Sequence, residues 1–73
     1  MEQNKLIESI ITYIKKHPGC RKREIAGEIR IWQCDARFLH AMGELERYGI
    51  IKSVVYRDPA QMEYYDKWYI VNN

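Results

Sequence analysis

The sequence predicts an α+β, mainly helical domain in which three helices are followed by a two-stranded antiparallel β-hairpin. Three observations carry that expectation. Apolar residues recur at helical spacing through the first two thirds of the chain, as they do in helices with one buried face. After Gly49 the period falls to two, and β-branched and aromatic residues dominate. Between the patterned segments stand residues that break or turn a chain: Pro18-Gly19, Gly49 and Asp58-Pro59. At 73 residues, one domain over 1–73 is the expected count.

The first helix is expected over 4–16. Leu6, Ile7, Ile10, Ile11 and Ile14 form its apolar stripe. Asn4 is placed to cap its N-terminus, and Glu8 lies in the early turns, where negative charge suits the helix dipole. Lys15, Lys16 and His17 suit the other end, and Pro18-Gly19 stops the helix. A second, short helix is expected over 21–30, with Ile25, Ala26 and Ile29 inward. Gly27 lowers its propensity, so it needs packing to hold. The turn Ile31-Trp32-Gln33-Cys34 follows. Asp35 is a good N-cap for a third helix over 35–48, with an alternative start near Gln33. Phe38, Ala41, Met42 and Leu45 make its buried face, and Gly49 ends it in a left-handed position. Strands are expected over 51–57 and 64–71, joined by a turn at Asp58-Pro59-Ala60-Gln61. An isolated hairpin is marginal in water, so one face, carrying Trp68 and Ile70, should pack on the helices.

Composition narrows the function. Hydrophobic residues are 47% and charged residues 30%, which is a globular balance. A chain this short has room for one core and little else, which weighs against an enzyme. The net charge is only +2, but it is unevenly spread. Residues 15–37 hold seven cations (Lys15, Lys16, Arg21, Lys22, Arg23, Arg30 and Arg37) against the three acids Glu24, Glu28 and Asp35, a local excess of four. The segments on either side are each slightly acidic. Two cysteines are too few for a disulfide scaffold. No apolar run approaches bilayer-spanning length, and Met1-Glu2-Gln3-Asn4-Lys5 reads as a cytoplasmic start, so the thiols are expected to be reduced.

Two short helices joined by a tight turn form a helix-turn-helix, in which the second helix of the pair offers its outer face to the DNA major groove. The following hairpin can reach the neighbouring backbone or minor groove. The residues also resemble a family. Glu24-Ile25-Ala26 followed by Ile29 resembles the second helix of bacterial winged-helix transcription regulators. Leu45-Glu46-Arg47-Tyr48-Gly49-Ile50-Ile51 is similar to the end of their third helix, and Trp68-Tyr69-Ile70 to their last wing strand. Size and layout resemble the short regulators of fimbrial operons and similar small bacterial or phage regulators. The resemblance covers nearly all of residues 4–71. It implies a winged helix that binds double-stranded DNA sequence-specifically in transcription regulation, with the helix over 35–48 in the major groove.

The candidate base-contacting residues are Arg37, His40 and Arg47, on the helix face opposite Phe38, Met42 and Leu45 and shared with Ala36 and Glu44. Arg37 is the strongest, because a guanidinium bonds a guanine edge with two parallel N–H groups. A bland reading stands beside it: an ordinary solvated face on which Glu44 and Arg47 pair. Arg21, Lys22 and Arg23 place three cations at a helix N-terminus, against the dipole. Phosphate contact would explain them; a solvated charge run is the alternative. Lys52, Arg57 and Lys67 on the hairpin are further phosphate candidates, offset by Asp58, Glu63 and Asp66.

Six tyrosines and two tryptophans are many for so small a chain. Tyr64 and Tyr65 lie where an exposed patch would contact protein. They support a second function, a winged-helix adaptor or dimerisation module that does not bind DNA. His17, Cys20, Cys34 and His40 form the inventory of a zinc site, but no Cys-x-x-Cys pair is present, and a helix separates Cys20 from Cys34. Neither a triad, a phosphate loop nor a carboxylate pair stands out. No catalytic residue, metal, cofactor or small-molecule ligand is expected. Double-stranded DNA is the expected partner, with a homodimer or another protein as further partners.

Overall fold

The computed structural model describes residues 3–71. The chain runs α1 (Gln3–Lys16), α2 (Lys22–Ile29), α3 (Ala36–Arg47), β1 (Ile51–Asp58), β2 (Glu63–Ile70), the predicted order. Helix α1 is the hub. Its Leu6, Ile10 and Ile14 are buried against Ile25 and Ala26 of α2 and Phe38, Ala41, Met42 and Leu45 of α3. The hairpin closes this core with Ile51 and Trp68. Phe38 is completely buried, and emptying such a site costs about 3–5 kcal/mol.

The helix ends differ from the sequence reading in instructive ways. Helix α1 already includes Gln3, so Asn4 lies inside the helix and does not cap it. Helix α2 is one residue shorter at each end than predicted. Arg21 is extended (φ −92°, ψ 156°) and makes no side-chain cap bond. Arg30 is left-handed (φ 64°, ψ 43°). Its N–H donates to the Gly27 carbonyl at 3.2 Å and the Ile31 N–H to Ala26 at 3.0 Å, the Schellman pattern that ends a helix. Helix α3 starts on Asp35, as predicted: the Asp35 carboxylate accepts the Arg37 backbone N–H. It ends one residue early, at Arg47, with the same bond pattern at Gly49 and Ile50. Gly49 is left-handed at φ 73°, the conformation for which the sequence needs glycine there.

The strands pair antiparallel from Ile51↔Ile70 to Asp58↔Glu63. Strand β1 starts at Ile51 as predicted, the two inner boundaries each move one residue toward the loop because the Asp58↔Glu63 pair still belongs to the ladder, and β2 ends one residue early, at Ile70. The connecting loop is therefore residues 59–62, one position later than expected. Asp58 shapes it by accepting the Ala60 N–H at 3.0 Å, an Asx turn. Val71 lies beyond β2, although its N–H still donates to the Ile50 carbonyl at 2.9 Å.

One pairing has no counterpart in the sequence reading. Cys20 bridges to Trp68 on the outer edge of β2. Trp68 N–H donates to Cys20 at 2.9 Å, and Gly19 N–H donates to Trp68 at 2.8 Å. The stretch between α1 and α2 thus acts as a one-residue third strand and ties the hairpin to the helices. Gly19 makes that turn at φ +83° with the Tyr69 hydroxyl close against it, so any side chain there would be both strained and crowded.

Candidate nucleic-acid interface

Three regions carry the predicted site residues: the outer face of α3, the start of α2, and the hairpin. On α3, about 100° of rotation per residue sets Ala36, His40, Gly43 and Arg47 opposite the buried row Phe38, Ala41, Met42 and Leu45. Leu39 and Glu46 flank this line on one side, Arg37 and Glu44 on the other. All of these outward residues are exposed except Glu44, which is half-buried. Leu39 and Gly43 are members of this face that the sequence reading missed. The signal for Leu39 was present, since it falls off the 38/41/42/45 stripe.

Arg37 is not a free cation. Asp35, the helix cap, accepts the Arg37 backbone N–H at 2.8 Å, its Nε–H at 3.1 Å and its Nη2–H at 2.9 Å. Those bonds, the side-chain ones first, hold the Asp35 carboxyl at about 2 and raise Arg37 above its ordinary value. Glu44 lies 3.8 Å from His40 Nε2, so its partner is His40 and not Arg47 as the surface-pair alternative had it.

The predicted phosphate residues of α2 gather at one place. Arg21, Lys22 and Arg23 line a shallow cleft of about 210 Å³ with Tyr65, Asp66 and Gln33, which stands in the turn into α3. Arg21 lays its guanidinium 4.0 Å above the Tyr65 ring, and Lys22 Nζ lies 5.8 Å from the Trp68 ring.

Strand alternation divides the hairpin residues between two faces. Lys52, Tyr56, Tyr65, Lys67 and Tyr69 share one face by register. There the Tyr56 and Tyr65 rings lie 5.1 Å apart and Lys67 Nζ sits 4.4 Å over Tyr56. Arg21, Tyr65, Tyr56 and Lys67 therefore form a continuous ladder of cation, ring, ring and cation. Arg57 and Tyr64 lie on the other face, the guanidinium 5.3 Å from the ring. The structure thus separates Tyr64 from Tyr65, and the two cannot form one patch. Tyr64 is 64% exposed, Val55 on the same face 66%, and Met62 at the tip 78%.

The remaining chemistry lies elsewhere. Cys20 is buried and Cys34 exposed. Burial, helped by Glu24, pushes the Cys20 thiol to about 11, so it is a neutral core group at physiological pH. Among the described residues no three His, Cys, Asp or Glu side chains cluster as metal ligands, and no helix is long and apolar enough to cross a membrane. A cleft of about 590 Å³ is open, lies between α1 and α2, and is lined by groups of both charges, including Glu8, Lys16 and Glu28. Tyr13 borders it, stacked on His17 at 4.6 Å, with its hydroxyl raised by burial first and by Glu24 next.

Among solved structures the chain is similar to FabT of Streptococcus pneumoniae, determined in complex with DNA. The TM-score is 0.66 and the identity 19%, covering 92% of this chain and 43% of that one. The chain spans less than half the length of that protein. No family model and no curated protein matches the sequence. At this identity the likeness is one of fold: the three helices and the hairpin are a winged helix.

Proposed function

We propose that the chain is a sequence-specific double-stranded DNA-binding domain of a transcription regulator, acting in the cytoplasm, with α3 in the major groove. The observation that carries this reading is the clustering of Arg21, Lys22 and Arg23 beside Gln33, at the entrance to α3. Phosphate-gripping cations belong next to the N-terminal end of a groove-inserted helix, where base contacts concentrate. The winged-helix likeness to a protein solved with DNA bound supports the same assignment. In this reading Arg37, His40 and Arg47 face base edges. Arg21, Lys22, Arg23, Lys52, Arg57 and Lys67 contact phosphates. The finer likeness to fimbrial-operon regulators rests on size and layout alone.

The test is fluorescence anisotropy of a labelled random-sequence duplex, titrated at several salt concentrations. Each neutralised phosphate contributes roughly −0.9 to the slope of log affinity against log salt, so six contacts give about −5. Absence of binding at low salt defeats the proposal.

A second reading, a protein-contact module, draws on the exposed Val55, Met62 and Tyr64. It now rests on the Tyr64 face of the wing and not on Tyr64 with Tyr65. Its test is sedimentation: Tyr64→Ser should abolish self-association if that face joins two copies. An unchanged profile removes it.

A further inference from the structure

We infer that Asp35 is a positioning residue that presents Arg37 as a reader of guanine, so that the bound sites carry guanine at one fixed position. The inference rests on the DNA-binding proposal and deepens it.

The argument starts from the shape of a guanidinium. It is planar and carries five N–H donors in a fixed fork. Asp35 takes one edge of that fork, Nε–H through Oδ1 and Nη2–H through Oδ2. The end edge is left, formed by Nη1 and the second N–H of Nη2. It offers two parallel donors, and the Arg37 side chain is 60% exposed. In the major groove guanine presents two neighbouring acceptors, N7 and O6. Adenine pairs its N7 acceptor with an amino donor, which opposes a second N–H. A guanidinium already fixed on its side edge therefore matches guanine and mismatches adenine. Its side-chain freedom is largely removed before DNA arrives, which lowers the entropy cost of the contact.

Asp35 is itself fixed by a second duty. Its Oδ1 accepts the Arg37 backbone N–H at 2.8 Å, so the carboxylate cannot swing away without uncapping α3. The helix start, the carboxylate and the guanidinium are one rigid unit. The pair has no net charge, so Arg37 adds little to non-specific attraction. What it adds is discrimination.

That separation gives a test with opposed signs. Asn caps a helix as well as Asp does, so Asp35→Asn keeps the helix start while removing the charge. A pool of duplexes with a randomised centre is selected with the full chain and sequenced, and anisotropy on a random-sequence duplex is measured alongside. For the unaltered chain we expect guanine enriched at one position. Asp35→Asn should weaken that preference roughly tenfold and tighten binding to the random duplex, because an acid near phosphates is gone. Arg37→Lys should lose the same preference at the same position, with no gain on the random duplex. A role for Asp35 in capping alone predicts that Asp35→Asn leaves the guanine preference unchanged, and that result overturns the inference. So does a guanine preference that Arg37→Lys leaves intact. If the unaltered chain binds no duplex at low salt, the DNA reading itself fails and the inference falls with it. Circular dichroism melts check that the variants fold, with Asp35→Ser as a second capping variant.

Discussion

Arg37 on α3 and the cations of the wing and the start of α2 are held by opposite chemistry. Arg37 is locked to a carboxylate at 2.9 Å. Arg21, Lys67 and Arg57 lie instead over tyrosine rings at 4.0, 4.4 and 5.3 Å. A carboxylate orients a cation by neutralising it. A ring orients a cation through its quadrupole and leaves the charge in place, for about 0.5–1 kcal/mol at an exposed site. The two regions are therefore suited to different tasks. The wing and the start of α2 keep positive charge for a phosphate backbone, whereas Arg37 gives up charge for a defined direction.

The largest effect expected comes from breaking the link between the two regions. Trp68, with Ile51, carries the wing into the core. It is 4% exposed and bridged to Cys20. Trp68→Ala should cost about 3–5 kcal/mol in urea unfolding, a large share of the stability of so small a domain. The indole adds a second point, because its Nε1–H is buried without a partner. Trp68→Phe deletes that unsatisfied donor together with some volume, and the two changes oppose one another. It should cost far less than the alanine variant. Equal losses would mean that the indole N–H is satisfied in solution.

The second effect sharpens the electrostatic contrast directly. Arg21→Gln and Lys67→Gln should each lower the salt slope of duplex binding by about one, since a cation over a ring is still available to a phosphate. Arg37→Gln should change the slope much less, because in this reading Arg37 faces a base edge, and the slope counts phosphate contacts. Equal slope changes for Arg21 and Arg37 would erase the distinction between the two regions.

How much of this was legible in the sequence follows from range. The α3 core row, the Asp35 cap and Gly49 depend on neighbours within one helical turn, and the spacing alone places them. The excess of cations over 15–37 is likewise a local count. The ring partners of Arg21 and Lys67 are different. Arg21 meets Tyr65 only because Cys20 pairs with Trp68 and brings two distant segments to one sheet face. Nothing in the spacing of either segment announces that bridge. Tyr64 and Tyr65 read as one patch in a linear string, yet strand alternation parts them. The assignment of Asn4 as a cap failed for a simpler reason: a good capping residue is also tolerated inside a helix, and α1 already includes Gln3.

A smaller effect follows from pH. Asp35 is held at about 2, below the ordinary 3.8, chiefly by the hydrogen bonds from the Arg37 side chain. The unfolded chain therefore takes up this proton before the folded one does. The stabilisation it contributes is complete above the ordinary carboxylate range and is lost as pH falls from 3.8 toward about 2. Melts from about pH 5 downward should show the unaltered chain losing stability more steeply than Asp35→Asn, whose cap does not titrate. Parallel curves would mean that the Asp35–Arg37 clamp does not persist in solution.

The smallest effect concerns a cation that belongs to neither region. Arg30 and Gly49 end their helices with the same bond pattern, both left-handed, at φ 64° and 73°. Glycine takes that conformation freely, while an L side chain is disfavoured by roughly 1–2 kcal/mol. Arg30 recovers part of this as a cation near a helix C-terminus. Arg30→Gly removes the strain but gives the unfolded chain more freedom. The net gain should be about 0.5 kcal/mol in urea unfolding, the remainder of these opposed contributions. If Arg30 stands outside the DNA-contacting surface, the same substitution leaves the salt slope of duplex binding unchanged. A slope lower by about one would instead add the end of α2 to the charge-bearing region, and the division between the wing and α3 would have to be redrawn around it.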